Sequence, residues 1–106
     1  MYSLSYYIPV DDHERVKQAL FASGAGRIGN YSDCCWQVLG RGQFRPVAGA
    51  RPAIGHPEQL EKLAEYKVEM VCADERIKQV VETLLREHPY EQPAYSLCLL
   101  MTLGDL

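Results

Sequence analysis

The sequence has no apolar run near the roughly 18–20 residues that a membrane-spanning helix requires. Its first residues, Met1-Tyr2-Ser3-Leu4-Ser5, carry neither the basic flank nor the long apolar stretch of a signal peptide. It has no basic excess: 11 Lys and Arg stand against 14 Asp and Glu, a net charge of −3, which argues against a general nucleic-acid binder. The four cysteines, Cys34, Cys35, Cys72 and Cys98, form no C-x-x-C pair, and no histidine pair accompanies them at zinc-finger spacing. The expectation is therefore of reduced cysteines in or near the core of a cytoplasmic protein, with no cofactor. No Ser/His/Asp or Cys/His arrangement has local support and no paired carboxylates stand out, so no residue is assigned a catalytic role. Disorder is not expected either, because charged residues are only 24% and hydrophobic residues reach 47%. A chain of 106 residues with that composition makes one domain, residues 1–106.

Four segments alternate as strands do and two have helical spacing. Tyr2 to Ile8 places Tyr2, Leu4, Tyr6 and Ile8 on one face, and Pro9 ends it. Asp11 and Asp12 then offer caps for a helix with the stripe Val16, Ala19, Leu20 and Ser23, and Asp11 with Glu14 has capping-box spacing. Gly24 stands where a left-handed glycine closes a helix. Cys34 to Leu39 is a second strand, which Gly40, Gly42 and Pro46 are expected to break. An irregular stretch runs on to about His56, and Glu58 to Ala64 reads as a short helical turn or more loop. Tyr66 to Cys72 is a third strand, with Tyr66, Val68, Met70 and Cys72 inward. Asp74 can cap a second helix whose stripe is Ile77, Val80, Val81, Leu84 and Leu85, and His88-Pro89 stops it. Tyr95 to Met101 is the last strand, and Thr102 to Leu106 is expected to fray.

The order β-α-β-β-α-β predicts an α+β, ferredoxin-like sandwich: an antiparallel four-stranded sheet with two helices on one face. The first and third strands are central. On the other face Ser3, Ser5, Lys67, Glu69 and Ser96 suit water, whereas Tyr7, Val71, Cys98 and Leu100 do not. That mixture, with two open edges, predicts a homo-oligomer assembled through the sheet.

The distinctive region is Gly24 to Pro57, which holds seven of the eight glycines and four of the seven arginines. Gly24-Ala25-Gly26-x-x-Gly29 matches a dinucleotide-loop spacing, but it follows a helix and precedes a strand, the reverse of the order such a loop needs. The segment carries +3 while the rest of the chain carries −6. Arg27, Arg41, Arg45 and Arg51, with Asn30 and Tyr31, are candidates to receive a small anion, because guanidinium forks match carboxylates and phosphates. The competing role for the same arginines is bridging to acidic residues of a neighbouring subunit. His88-Pro89-Tyr90-Glu91 is the second constellation. His88 and Glu91 are candidates for proton transfer or metal ligation, against a purely structural helix stop and rigid turn. Cys34, Cys35, His56 and His88 are the available soft-metal ligands, although Cys34 and Cys35 would point to opposite faces of a strand.

Taken together, Gly24-Ala25-Gly26-Arg27-Ile28-Gly29-Asn30-Tyr31-Ser32-x-Cys34, Gly40-x-Gly42-x-Phe44-Arg45-Pro46, Gly49-Ala50-x-Pro52-Ala53-Ile54-Gly55 and His88-Pro89-Tyr90-Glu91-x-Pro93-Ala94-Tyr95 resemble the small domain inserted in YqfO-type proteins. Those proteins belong to the Ngg-interacting-factor-three-like family. The His-Pro-Tyr-Glu turn is also similar to CutA. The resemblance implies a CutA/PII-like fold, assembly into trimers and no settled activity. It also implies two alternatives to a ligand- or partner-binding module: a CutA-like divalent-metal-binding protein using Cys34, His56 or His88, and an accessory to a dinuclear-metal, hydrolase-like main domain.

Overall fold

A computed structural model describes every residue from Met1 to Leu106. Strand β1 (Tyr2–Pro9) leads through a 3-10 turn (Val10–Asp12) into helix α1 (His13–Ala22). Strands β2 (Trp36–Phe44) and β3 (Glu61–Cys72) follow, then helix α2 (Ile77–Glu87), strand β4 (Tyr95–Leu99) and a final 3-10 turn (Leu103–Asp105). The sheet is antiparallel throughout, in the order β2-β3-β1-β4, so β1 and β3 are central as their patterns require. Both helices lie on one face. There Leu4, Tyr6 and Ile8 of β1 and Val68, Met70 and Cys72 of β3 pack against Val16, Leu20 and Phe21 of α1 and Val80 and Leu84 of α2.

The caps differ from expectation. Neither Asp11 nor Asp12 makes a side-chain bond to the start of α1. The Asp12 carboxylate instead takes the Arg15 guanidinium at 3.1 Å. Asp74 pairs with the terminal ammonium of Met1 rather than capping α2, whose N-cap is Arg76, two residues later. Leu85 belongs to the α2 stripe by spacing yet stays exposed. The tail is not frayed: Thr102 and Asp105 bond reciprocally as a capping box around the last turn.

The largest correction concerns β2 and β3. Gly40 and Gly42 do not end β2, which continues to Phe44, and Glu61 to Ala64 is strand rather than helical turn or loop. Glycine lowers strand preference but removes no ladder hydrogen bond, so strong pairing with β3 carries the strand through both positions. The pairing runs from Trp36 opposite Glu69 to Phe44 opposite Glu61. Because β1 stops at Pro9 opposite Glu65, the last residues of this ribbon project beyond the sheet, and the molecule measures 49 × 22 × 21 Å.

Candidate functional cleft

Where the β2–β3 ribbon leaves the sheet, the face opposite the helices forms a cleft of about 410 Å³. Its floor is Tyr7 of β1, Gly42 of β2 and Glu65 of β3. One wall is the loop after β2, from Arg45 to Ile54, and the other is the turn after α2, from Tyr90 to Gln92. The backbone N–H of Arg51 donates to Oε2 of Glu91 at 3.0 Å and ties the two walls together. Two motifs separated by some forty residues of sequence thus form one concave surface.

The turn is held by His88. Its Nδ1 accepts from the Tyr90 N–H at 3.0 Å, so Nε2 carries the proton and donates to the Tyr7 carbonyl at 2.7 Å. The ring is buried, and both nitrogens are committed to backbone. Burial pushes its pKa down, against the raising effects of the Tyr7 carbonyl and the carboxylates of Glu65 and Asp12. A neutral histidine whose Nδ1 accepts from Tyr90 and whose Nε2–H donates to Tyr7 organises the turn, and a proton or metal at Nδ1 would have to break the bond from Tyr90.

Tyr90 is fixed next to it. Its hydroxyl donates to Oε2 of Glu65 at 2.9 Å, and its ring meets Phe44 with centroids 5.6 Å apart. Burial and the Glu65 charge push the Tyr90 hydroxyl pKa up, so it remains a phenol and a donor. Glu65 in turn depends on Gly42 across the ladder: a Cβ there would overlap the Glu65 carboxylate. The glycine that seemed to break a strand clears space for an acid on the cleft floor.

The predicted ligand-binding residues divide. Arg45 lines the cleft, and Arg51 joins its wall to Glu91 through the backbone. Arg41 sits on the helix-side face of β2, exposed, opposite Ala64. Arg27, Asn30 and Tyr31 lie in the loop after α1 at the other end of β3. There the Gly26 N–H donates to the Val71 carbonyl at 2.8 Å. Six residues of strand separate Val71 from Glu65, about 20 Å. Cys34, His56 and His88 are not gathered, and no group of three or more His, Cys, Asp or Glu side chains is placed to hold a metal. The cysteines are all free thiols.

Glu65 is the residue that sequence reading misses, because the third strand seemed to begin at Tyr66. The signal was its place two residues before Lys67 on the open-face alternation. A second buried cluster was also missed. His13 stacks on Tyr66 with centroids 4.2 Å apart and bonds Gln37 through Nε2 at 2.9 Å. Its Nδ1 and the Tyr6 hydroxyl are buried without partners.

No family model matches the chain. A GTP cyclohydrolase 1 type 2 homolog of Mycobacterium tuberculosis is 43% identical over 91 residues, 86% of this chain and 24% of that protein. The protein of the same name from Halalkalibacterium halodurans is 38% identical over 105 residues, 99% of this chain and 28% of its own. Among solved structures, the Bacillus cereus protein related to NIF3 superposes with a TM-score of 0.76 at 33% identity, covering 91% of this chain and 24% of that one. CutA1 from Pyrococcus horikoshii has a TM-score of 0.69 at 14% identity over 97% of this chain, a likeness of fold alone. The chain thus spans about a quarter of the length of the curated relatives it matches. With this identity over most of its length and the same ferredoxin-like sandwich, the chain is similar to one domain of the longer NIF3/YqfO-family proteins.

Proposed function

We propose that this chain is a non-enzymatic binding module that receives a small ligand in the cleft between the Arg45–Ile54 loop and the His88–Glu91 turn. The observation that carries this reading is the cleft itself. It is concave, walled by apolar and aromatic side chains, furnished with a few fixed polar groups and within the usual volume of ligand sites. Arg45 supports an anionic group on the ligand, since a guanidinium takes carboxylate or phosphate through two parallel bonds. The metal-binding alternative lacks a converging ligand set. The accessory alternative draws on the relatives' length: a module of this size would act alongside the larger remainder that they carry.

The test is a melting-temperature screen against phosphate- and carboxylate-bearing metabolites. A ligand present at about 100 times its Kd stabilises the fold by about 2.7 kcal/mol, which such a screen detects. The expected shift survives Arg27→Ala, about 20 Å away, and is lost in Arg45→Ala. A broad panel that shifts nothing overturns the reading.

Self-association through the open face belongs to the same proposal. Trp36, Val38 and Tyr7 are exposed there, 61%, 44% and 41% respectively, in rows with Glu69, Lys67 and Ser5. That is more apolar surface than a free sheet face carries comfortably. We expect a trimer by light scattering at micromolar concentration, and a monomer would remove this part of the proposal.

A further inference from the structure

Glu65 poses a chemical problem that the protein leaves open. It is half-buried on the cleft floor, and only its Oε2 receives a protein donor, the Tyr90 hydroxyl. No hydrogen bond reaches Oε1, and Glu65 is absent from every ion pair of the chain, although Arg45 lines the same cleft. A phenol bond orients a carboxylate but does not neutralise it. An ion pair made in a partly water-excluded cleft is stronger than the same pair in open solvent. Oε1 is seated in the space that Gly42 leaves by having no Cβ, which fixes where the acid stands on the cleft floor.

The surroundings of this acid are aromatic and apolar. Tyr7, Phe44 and Tyr90 line the cleft with it, as do Val47, Ala50 and Ile54, and Arg45 and Glu91 are its other charged lining residues. Aromatic faces attract cations, and apolar walls accept a hydrocarbon stem. We infer that the cleft floor takes a cationic group, a primary ammonium or guanidinium on a short apolar stem, with Glu65 as its counter-ion. This rests on the ligand-binding reading of the cleft and sharpens it: a ligand that satisfies both Arg45 and Glu65 carries an anionic and a cationic end. The cation has two sources of the same chemistry, a free amine or the lysine or arginine side chain of a peptide.

Calorimetric or NMR titration with n-butylammonium and n-propylguanidinium tests the inference, with butanoate as the matched anion. The cations are expected to bind at millimolar concentration. Glu65→Gln, which is isosteric and still accepts from Tyr90, is expected to weaken them about tenfold or more. Gly42→Ala pushes the flexible end of Glu65 aside and is expected to weaken them several-fold while remaining folded, as read by thermal melting. An acetylated, amidated lysine tripeptide binding tighter than butylammonium supports the peptide source, and the reverse order supports the free amine. Cations that fail to bind, or that bind Glu65→Gln as well as the wild type, overturn the inference. If anionic metabolites still shift the melting temperature in that case, the cleft remains a ligand site and only its cation preference is lost. If neither class binds, both readings fall.

Discussion

Replacing His88 by alanine lowers stability by about 3 kcal/mol, a fall in Tm on the order of 15 °C for a domain of this size. The reason is that one buried ring serves two backbone groups from distant parts of the chain. It accepts from Tyr90 two residues on, as the side chain of an Asx turn does, and it donates to Tyr7 across 81 positions. Alanine leaves that N–H and that carbonyl without partners and opens a void between α2 and β1. His88→Asn is expected to lose less, because its amide oxygen can still accept from the Tyr90 N–H. Thermal melts of the two variants check the order, and equal Tm values for wild type and His88→Ala would show that the ring is dispensable.

The same residue gives the fold a pH dependence of known sign. Burial holds the pKa of His88 and of His13 below the ordinary 6.5, so the folded state keeps both rings neutral while the unfolded chain protonates them. The stability they contribute is complete above pH 6.5 and is lost as pH falls from there through the depressed folded values. For His13, burial is the main cause, partly offset by the Gln37 hydrogen bond. In His88→Ala the stability curve below pH 6.5 is flatter, with the His13 share remaining.

Gly26→Ala is expected to cost about 3 kcal/mol, and Gly29→Ala only about 1. Both glycines have positive φ, +77° and +56°, so alanine is strained at either. Their surroundings differ. A Cβ on Gly26 would lie 2.7 Å from the Phe21 ring and 2.9 Å from the Cys34 carbonyl oxygen, while a Cβ on Gly29 meets nothing within 4 Å. Gly26 cannot move away, because its N–H is bonded to Val71 and its carbonyl accepts from the Cys34 N–H at 2.8 Å. The backbone of this loop is stitched to the end of β3 with no room for a methyl group. Denaturant unfolding of the two variants measures the difference, and equal losses would show that the close packing around Gly26 yields.

That contrast also settles what the Gly24-x-Gly26-x-x-Gly29 spacing is for. Gly26 permits contact with Phe21 and Cys34, while Gly29 permits the tight turn in which Ile28 and Tyr31 pair. The spacing matches a phosphate-binding pattern because both need backbone where side chains do not fit. Its position after a helix is legible in sequence, and so is its dismissal as a nucleotide loop.

Alternation and helical spacing determined the two-layer sandwich, the central strands β1 and β3 and the helix-side core, because burial of one face imposes a period that a single segment displays. The arrest of α2 at His88-Pro89 was equally local, since a proline restricts the residue before it. Only the tertiary structure decided where β2 ended, because cross-strand pairing outweighed the weak preference of two glycines. It also decided which arginines share a site. Sequence grouped Arg27 with Arg45 by nearness and charge, whereas the length of β3 sets them at opposite ends. The cleft joins the loop after β2 to the turn after α2 through Arg51 and Glu91, and its acid stands against a glycine on the neighbouring strand. Such a site depends on register, on which residue of one strand faces which of the next, and register is a property of pairs of segments that neither segment contains alone.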